Sequence, residues 1–186
     1  MIIGLVGAMG AGKGICAEYL GKRGFLYHSL SDEIREELKS RELPETRELL
    51  TSVGNELRTQ SGTGILAQRV LKKMKNNKNY VVDSIRNPEE VKTLRTRKEF
   101  ILIRIEAPVE IRYERIKNRG RTGDVQTLQQ FLAQEKAESE STDINKQQMR
   151  ATSSMADYQL TNNSSLDDFY HQIDKFLKEI AGRKSI

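Results

Sequence analysis

The sequence predicts an α/β fold, a parallel sheet covered by helices on both sides. Three observations carry that prediction. Short apolar runs alternate with amphipathic helical patterns along the 186 residues, as a sheet buried on both faces requires. The first run, Ile2-Ile3-Gly4-Leu5-Val6, leads directly into Gly7-Ala8-Met9-Gly10-Ala11-Gly12-Lys13-Gly14. A helical pattern, Cys16-Ala17-Glu18-Tyr19-Leu20, follows that turn. Strand, glycine-rich turn and helix in this order make a phosphate-binding loop.

The elements follow in order. A strand over 2–6 precedes a helix from about 12 to 22. A second strand fits 25–28 and ends in the turn Ser29-Leu30-Ser31-Asp32, where Ser31 is expected to cap a helix carrying Ile34 and Leu38. Pro44 breaks the chain, and Leu49, Leu50, Val53 and Leu57 mark the next helix. Ile65, Leu66, Val70, Leu71 and Met74 mark another. Tyr80-Val81-Val82-Asp83 is β-rich, and Asn87-Pro88-Glu89-Glu90 opens a helix. The run 100–105 is a buried strand, and Pro108 opens a helix through Ile111 and Ile116 that breaks at 120–123. Polar helical sequence is expected from about 125 to 150, anchored by Leu128, Phe131 and Leu132. A last strand over 157–161 turns at 162–165 into a helix with Leu166, Phe169, Ile173, Phe176, Leu177 and Ile180 on one face. No internal repeat is present.

Composition narrows the function. A hydrophobic share of 37% and only three prolines suit one domain with a sizeable core. The net charge of +5 fits phosphate-rich ligands, with a solvated basic surface expected rather than a dedicated nucleic-acid site. One cysteine, Cys16, excludes an internal disulfide and any multi-cysteine metal site, and its place early in a helix suggests core packing. No apolar run approaches the roughly 18 residues of a membrane span. No basic lead-in precedes the first strand, so a cytoplasmic enzyme without a secretory signal is expected. His28 and His171 stand apart, without an acid or cysteine cluster to complete a catalytic or zinc site.

The loop carries the first chemistry. Gly7, Gly10 and Gly12 let successive N–H groups point inward at a phosphate, and the helix N-terminus adds its dipole. Gly7, Ala8, Met9, Gly10, Ala11, Gly12, Lys13, Gly14 and Ile15 form the expected ATP-binding set, with Lys13 on the β/γ-phosphates. The usual Ser or Thr after the lysine is Gly14, followed by Ile15, so the Mg²⁺-touching hydroxyl is missing. Asp83, ending an apolar run, is suited to hold Mg²⁺ directly or through its water shell. Arg86 follows Asp83 by three residues, and Arg35 follows Asp32 by the same interval. Guanidinium groups grip phosphates bidentately, and two of them from different loops could position an acceptor phosphate. Arg35 stands equally well as an exposed residue of a charged stretch. Arg112, Arg115, Arg119 and Arg121 form a further cluster, the first three on one helix face. Beside Gly120 and Gly123, such arginines suit a hinged lid that excludes water, with Arg115 and Arg119 as the candidates.

Taken together, these motifs resemble the nucleoside monophosphate kinase group of P-loop proteins. The Gly-Lys-Gly ending and the Asp32–Arg35 spacing are similar to adenylate kinases, which however place Thr where this chain has Ile15. The ending Ala156-Asp157-Tyr158-Gln159-Leu160-Thr161-Asn162-Asn163 is similar to dephospho-CoA kinases, whose last strand leads to an adenine-facing loop. The fullest resemblance is to a dephospho-CoA-kinase-like or deoxynucleotide-kinase-like family. It rests on residues 29–37, on Gly54-Asn55-Glu56-Leu57-Arg58 and on residues 83–91, and spans nearly the whole chain. Related domains precede deoxycytidylate-deaminase-like domains, but one cysteine and two scattered histidines cannot make that zinc site.

The resemblance implies a three-layer α/β/α fold with a five-stranded parallel sheet of order 2-3-1-4-5. It implies one kinase domain over 1–186, with an acceptor-binding insertion at about 32–75 and a lid at about 115–152. ATP would be the donor. Asp32, Arg35, Arg58 and Arg86 would face the acceptor, Arg115 and Arg119 the transferred group. The expected activity is Mg²⁺- and ATP-dependent transfer to a nucleotide or nucleotide-like acceptor, by a monomer or homodimer. A phosphate acceptor needs little base help, whereas a sugar hydroxyl, as in dephospho-CoA phosphorylation, would need one, and Asp32 is the candidate. Two other readings are an ATPase or GTPase, and an ATP-binding regulatory or RNA-associated module with little catalysis.

Overall fold

The computed structural model describes residues 1–120, 127–139 and 143–183. β1 (Ile2–Val6) leads to α1 (Lys13–Gly21), β2 (Leu26–Ser29), α2 (Leu30–Ser40), α3 (Arg47–Ser61) and α4 (Ile65–Lys73). β3 (Tyr80–Asp83), α5 (Pro88–Leu94), β4 (Phe100–Glu106) and α6 (Val109–Arg119) follow. α7 (Leu128–Ser139), α8 (Met149–Ser154), β5 (Tyr158–Thr161) and α9 (Leu166–Arg183) complete them. The sheet is parallel throughout, in the expected order β2-β3-β1-β4-β5.

Period-two alternation in β1 builds both core layers. Ile2 and Val6 point with Val82 and Leu102 into an apolar cluster beneath α2, α3, α4 and α5. Ile3 and Leu5 point with Val81 and Ile103 into a second one against α1 and α9. Gly4 leaves room on the first face, because a Cβ there would lie 2.6 Å from the Phe100 ring and 2.8 Å from Ile85. All strands run the same way, so the residues following Val6, Ser29, Asp83, Glu106 and Thr161 gather at one edge, where parallel sheets bind ligands.

Two expectations are corrected. The cap of α2 is Ser29, whose Oγ accepts from the Ser31 N–H at 3.2 Å; β2 runs straight into the helix and puts Ser31 in its first turn. The polar stretch expected as one helix is α7 and α8, separated at 143–148. Asp143 accepts from the Asn145 N–H, and Asn87 Nδ2 donates to the carbonyls of Ile144 at 2.7 Å and Lys146 at 3.1 Å. Those carbonyls are thereby taken from a helical ladder that no apolar face would have anchored. Gly120, at φ 57, ends α6 in the left-handed region. Arg121 and Gly123 lie outside the described residues. No described helix is long and apolar enough to cross a membrane.

Candidate active site

A cleft of about 1630 Å³ opens at the carboxyl edge of the sheet. The phosphate loop forms its floor. Gly10 (φ 79) and Gly12 (φ 108) hold backbone conformations that side chains rarely adopt, and both also meet neighbours closely. A Cβ on Gly10 would lie 2.6 Å from the Arg112 carbonyl oxygen, and one on Gly12 would lie 2.1 Å from Asn162 Nδ2. Lys13 Nζ folds back to donate to the carbonyls of Gly7 at 2.7 Å and Ala8 at 3.0 Å. Gly14 is exposed, with nothing within 4 Å of where a Cβ would stand. Ile15 packs against the α1–α9 core while lining the cleft. An apolar residue at position 15 therefore has a packing reason, whereas nothing steric demands glycine at position 14.

Asn162, fully buried just past β5, holds the loop from behind. Its Nδ2 donates to the Ala11 carbonyl at 2.9 Å, and its N–H donates to Glu106. Arg115 donates to both oxygens of Asn162, at 3.2 and 3.1 Å, and to the Gly10 carbonyl at 3.4 Å; burial pulls its pKa below the ordinary arginine value. Arg112, sharing that helix face in the sequence, is buried instead. It donates to the carbonyls of Ala107 and Met9 and pairs with Glu135 at 2.9 Å, over the Phe131 ring. Arg119 lines the cleft at the exposed end of α6. The predicted arginine face therefore divides into a packed anchor, a loop contact and an outer cation.

Asp83 lines the cleft half-buried at the end of β3, its Oδ1 accepting from the Ser84 N–H. Among the described residues no group of three His, Cys, Asp or Glu could cage a metal. A single carboxylate facing the phosphate loop still fits Mg²⁺, which keeps waters and takes its other oxygens from substrate phosphates. Cys16 is fully buried, as expected, and His28 tilts against Tyr80 with burial lowering its pKa.

The acceptor-side candidates are spread unevenly. Arg35 lines the cleft, with Nη1 on Asp32 at 2.8 Å and Nε on Glu45 at 2.7 Å. Asp32 itself is not among the lining residues, and its carboxylate accepts from Arg35. Arg86 lines the cleft and donates to Gln147 at 2.8 Å. Arg58 was expected to face the acceptor, yet it is only 3% exposed and its guanidinium is committed to Glu90 at 2.8 Å. It borders the cleft but presents no open donor fork.

Sequence reasoning missed Asn162 as the loop's anchor, Glu90 as a buried acid and Arg150. Arg150 lines the cleft from α8, and its guanidinium makes no hydrogen bond or ion pair with the described residues. Nothing in the polar stretch around it sets it apart, since its approach to the cleft depends on the break before α8. Ten Lys or Arg residues and five Asp or Glu residues line the cleft, an excess of positive charge suited to anionic substrates.

Comparison with known proteins agrees with the fold described above. Residues 3–151 match the family model described as AAA domain. The UPF0200 protein PH1008 of Pyrococcus horikoshii is 34% identical over 189 residues, spanning 97% of each chain. Among solved structures, TT1252 from Thermus thermophilus aligns with a TM-score of 0.62 at 20% identity, covering 96% of this chain and 97% of that one. Shikimate kinase from Acinetobacter baumannii, in complex with shikimate, aligns with a TM-score of 0.57 at 19% identity, covering 98% and 94%. At these identities the structural likeness is one of fold.

Proposed function

The chain belongs to the UPF0200 proteins and carries an AAA domain in a P-loop kinase-like fold, and on that basis we propose that it transfers phosphoryl groups from ATP to a nucleotide or nucleotide-like acceptor that already bears a phosphate. The observation that carries this is the one cleft lined by the phosphate loop and Asp83 together with Arg86 from the same β3–α5 segment, Arg35 from α2 and Arg150 from α8. A hydrolase needs one cation on the transferred group, whereas several on different elements suit a second anionic substrate.

The loop N–H groups and Lys13 would hold the donor phosphates, Lys13 exchanging the Gly7 and Ala8 carbonyls for phosphate oxygens. Asp83 and the triphosphate oxygens would hold Mg²⁺, which when bound neutralises phosphate charge. Arg86 and Arg150 would orient the acceptor phosphate, while Arg115 and Arg119 face the transferred group. Orientation and positive charge supply most of the acceleration in such chemistry. An acceptor phosphate oxygen is already anionic and needs no base. That suits a cleft whose candidate base, Asp32, lies outside the lining with its carboxylate on Arg35.

The test is ATP with a panel of nucleoside and deoxynucleoside monophosphates and dephospho-CoA. Transfer to a monophosphate supports the proposal. Transfer to dephospho-CoA would replace it with hydroxyl phosphorylation, acceptor-indifferent hydrolysis with an ATPase, and tight ATP binding without turnover with a regulatory module.

A further inference from the structure

Arg58 and Glu90 form the most buried ion pair among the described residues, at 3% and 0% exposure. Nε and Nη2 of Arg58 both donate to Oε1 of Glu90, at 3.1 and 2.8 Å. The other oxygen, Oε2, accepts the backbone N–H of Arg86 at 2.8 Å and of Asn87 at 3.0 Å. One carboxylate thus ties α3 to the residue expected to grip the acceptor. The Gly54-Asn55-Glu56-Leu57-Arg58 run is built around this contact. A side chain on Gly54 would meet Ile34 at 2.8 Å and Arg58 Nη1 at 3.4 Å, and Asn55 Oδ1 accepts from that same Nη1.

The chain of bonds continues beyond Arg86. Its carbonyl accepts from the Gln148 N–H and its Nη1 donates to Gln147 Oε1, both at 2.8 Å. Arg86 is therefore held through its N–H by Glu90 of α5, itself tied to α3 by Arg58, and through its carbonyl and side chain by the segment before α8. Capping α5 does not by itself require a charge at position 90, because Gln serves equally in a capping box. Burying two charges costs desolvation that an apolar pair would avoid. The charged pair is therefore explained by coupling rather than by capping.

We propose that Arg58 and Glu90 are positioning residues for Arg86, transmitting the placement of α3 to the acceptor-gripping guanidinium. This rests on the kinase reading given above. The test uses Arg58→Lys, which keeps the charge but loses the fork, and the paired Arg58→Met/Glu90→Gln, which keeps volume and cap and so remains informative if the first variant folds poorly. KM for ATP and for the acceptor are measured for each, with and without Arg86→Ala. The expected result is an acceptor KM raised about tenfold with ATP KM within about twofold, and no further rise in the Arg86→Ala background. Equal changes in both KM values, or effects that add to Arg86→Ala, overturn the proposal. If no acceptor is phosphorylated, the kinase reading fails on its own. The relay is then read by inorganic phosphate titration followed at the Arg86 amide by NMR. A response lost in the paired variant supports it, and an unchanged response overturns it.

Discussion

Asn162 Nδ2 donates to the Ala11 carbonyl at 2.9 Å, so the end of the last strand holds the phosphate loop that follows the first. The same side chain sits 2.1 Å from where a Gly12 Cβ would stand and accepts from Arg115 through Oδ1. One buried amide thus fixes the loop's backbone and orients a cleft arginine.

Asn162→Ala is expected to leave the Ala11 carbonyl without this donor and the loop less ordered. Loss of a buried hydrogen-bonding partner costs about 1–3 kcal/mol, and ATP affinity should fall about tenfold through a looser cradle. Thermal unfolding with calorimetric ATP titration checks both, and an unchanged ATP affinity would remove Asn162 from the cradle.

Gly14→Ser tests the missing hydroxyl. Position 14 is open to a Cβ, so the fold should be unaffected, and a hydroxyl beside Lys13 should lower the Mg²⁺ concentration for half-maximal turnover by about threefold or more. Ile15→Thr is the poorer test, because Ile15 also packs against the α1–α9 core. A Mg²⁺ dependence that ignores Gly14→Ser would make the glycine a family variation without consequence for the metal.

The loop between β1 and α1 and the place of Asp83 at the end of β3 were legible because each is local to a strand end, whereas the strand order came with the family resemblance, which spans nearly the whole chain. The sequence foretold less where long-range partners decide a side chain's role. Arg112, Arg115 and Arg119 share a helix face by spacing. Yet Glu135 and the Met9 carbonyl claim Arg112, while Asn162 claims Arg115. Arg58 looked like an acceptor ligand because nothing in its own segment reveals Glu90, 32 residues away. The break at 143–148 was hidden because Asn87, far earlier in the chain, supplies its hydrogen bonds.

Lys13→Ala should abolish turnover while preserving the fold, since the ammonium bonds carbonyls of the loop itself, those of Gly7 and Ala8. Arg86→Ala should raise acceptor KM by about tenfold or more with a smaller effect on ATP KM. Steady-state kinetics with each substrate varied separates the two, and a larger ATP effect in Arg86→Ala would move that arginine to the donor side.

Cys16 gives a pH prediction with a definite sign. Burial, and secondarily the negative charge of Asp83, pushes its thiol from 9.0 up to about 12. The folded protein therefore keeps a proton that the unfolded chain sheds above pH 9. The associated stability is fully present below that pH and is lost as pH rises towards 12, by an amount on the order of 4 kcal/mol across the window. Urea unfolding at pH 8 and pH 10.5 should show wild type losing about 2 kcal/mol more than Cys16→Ala. Comparing the two proteins cancels the lysines and tyrosines that titrate in the same range. Equal losses would mean that the native state ionises Cys16 without penalty, and a thiol reagent should then label the folded protein as fast as the unfolded one.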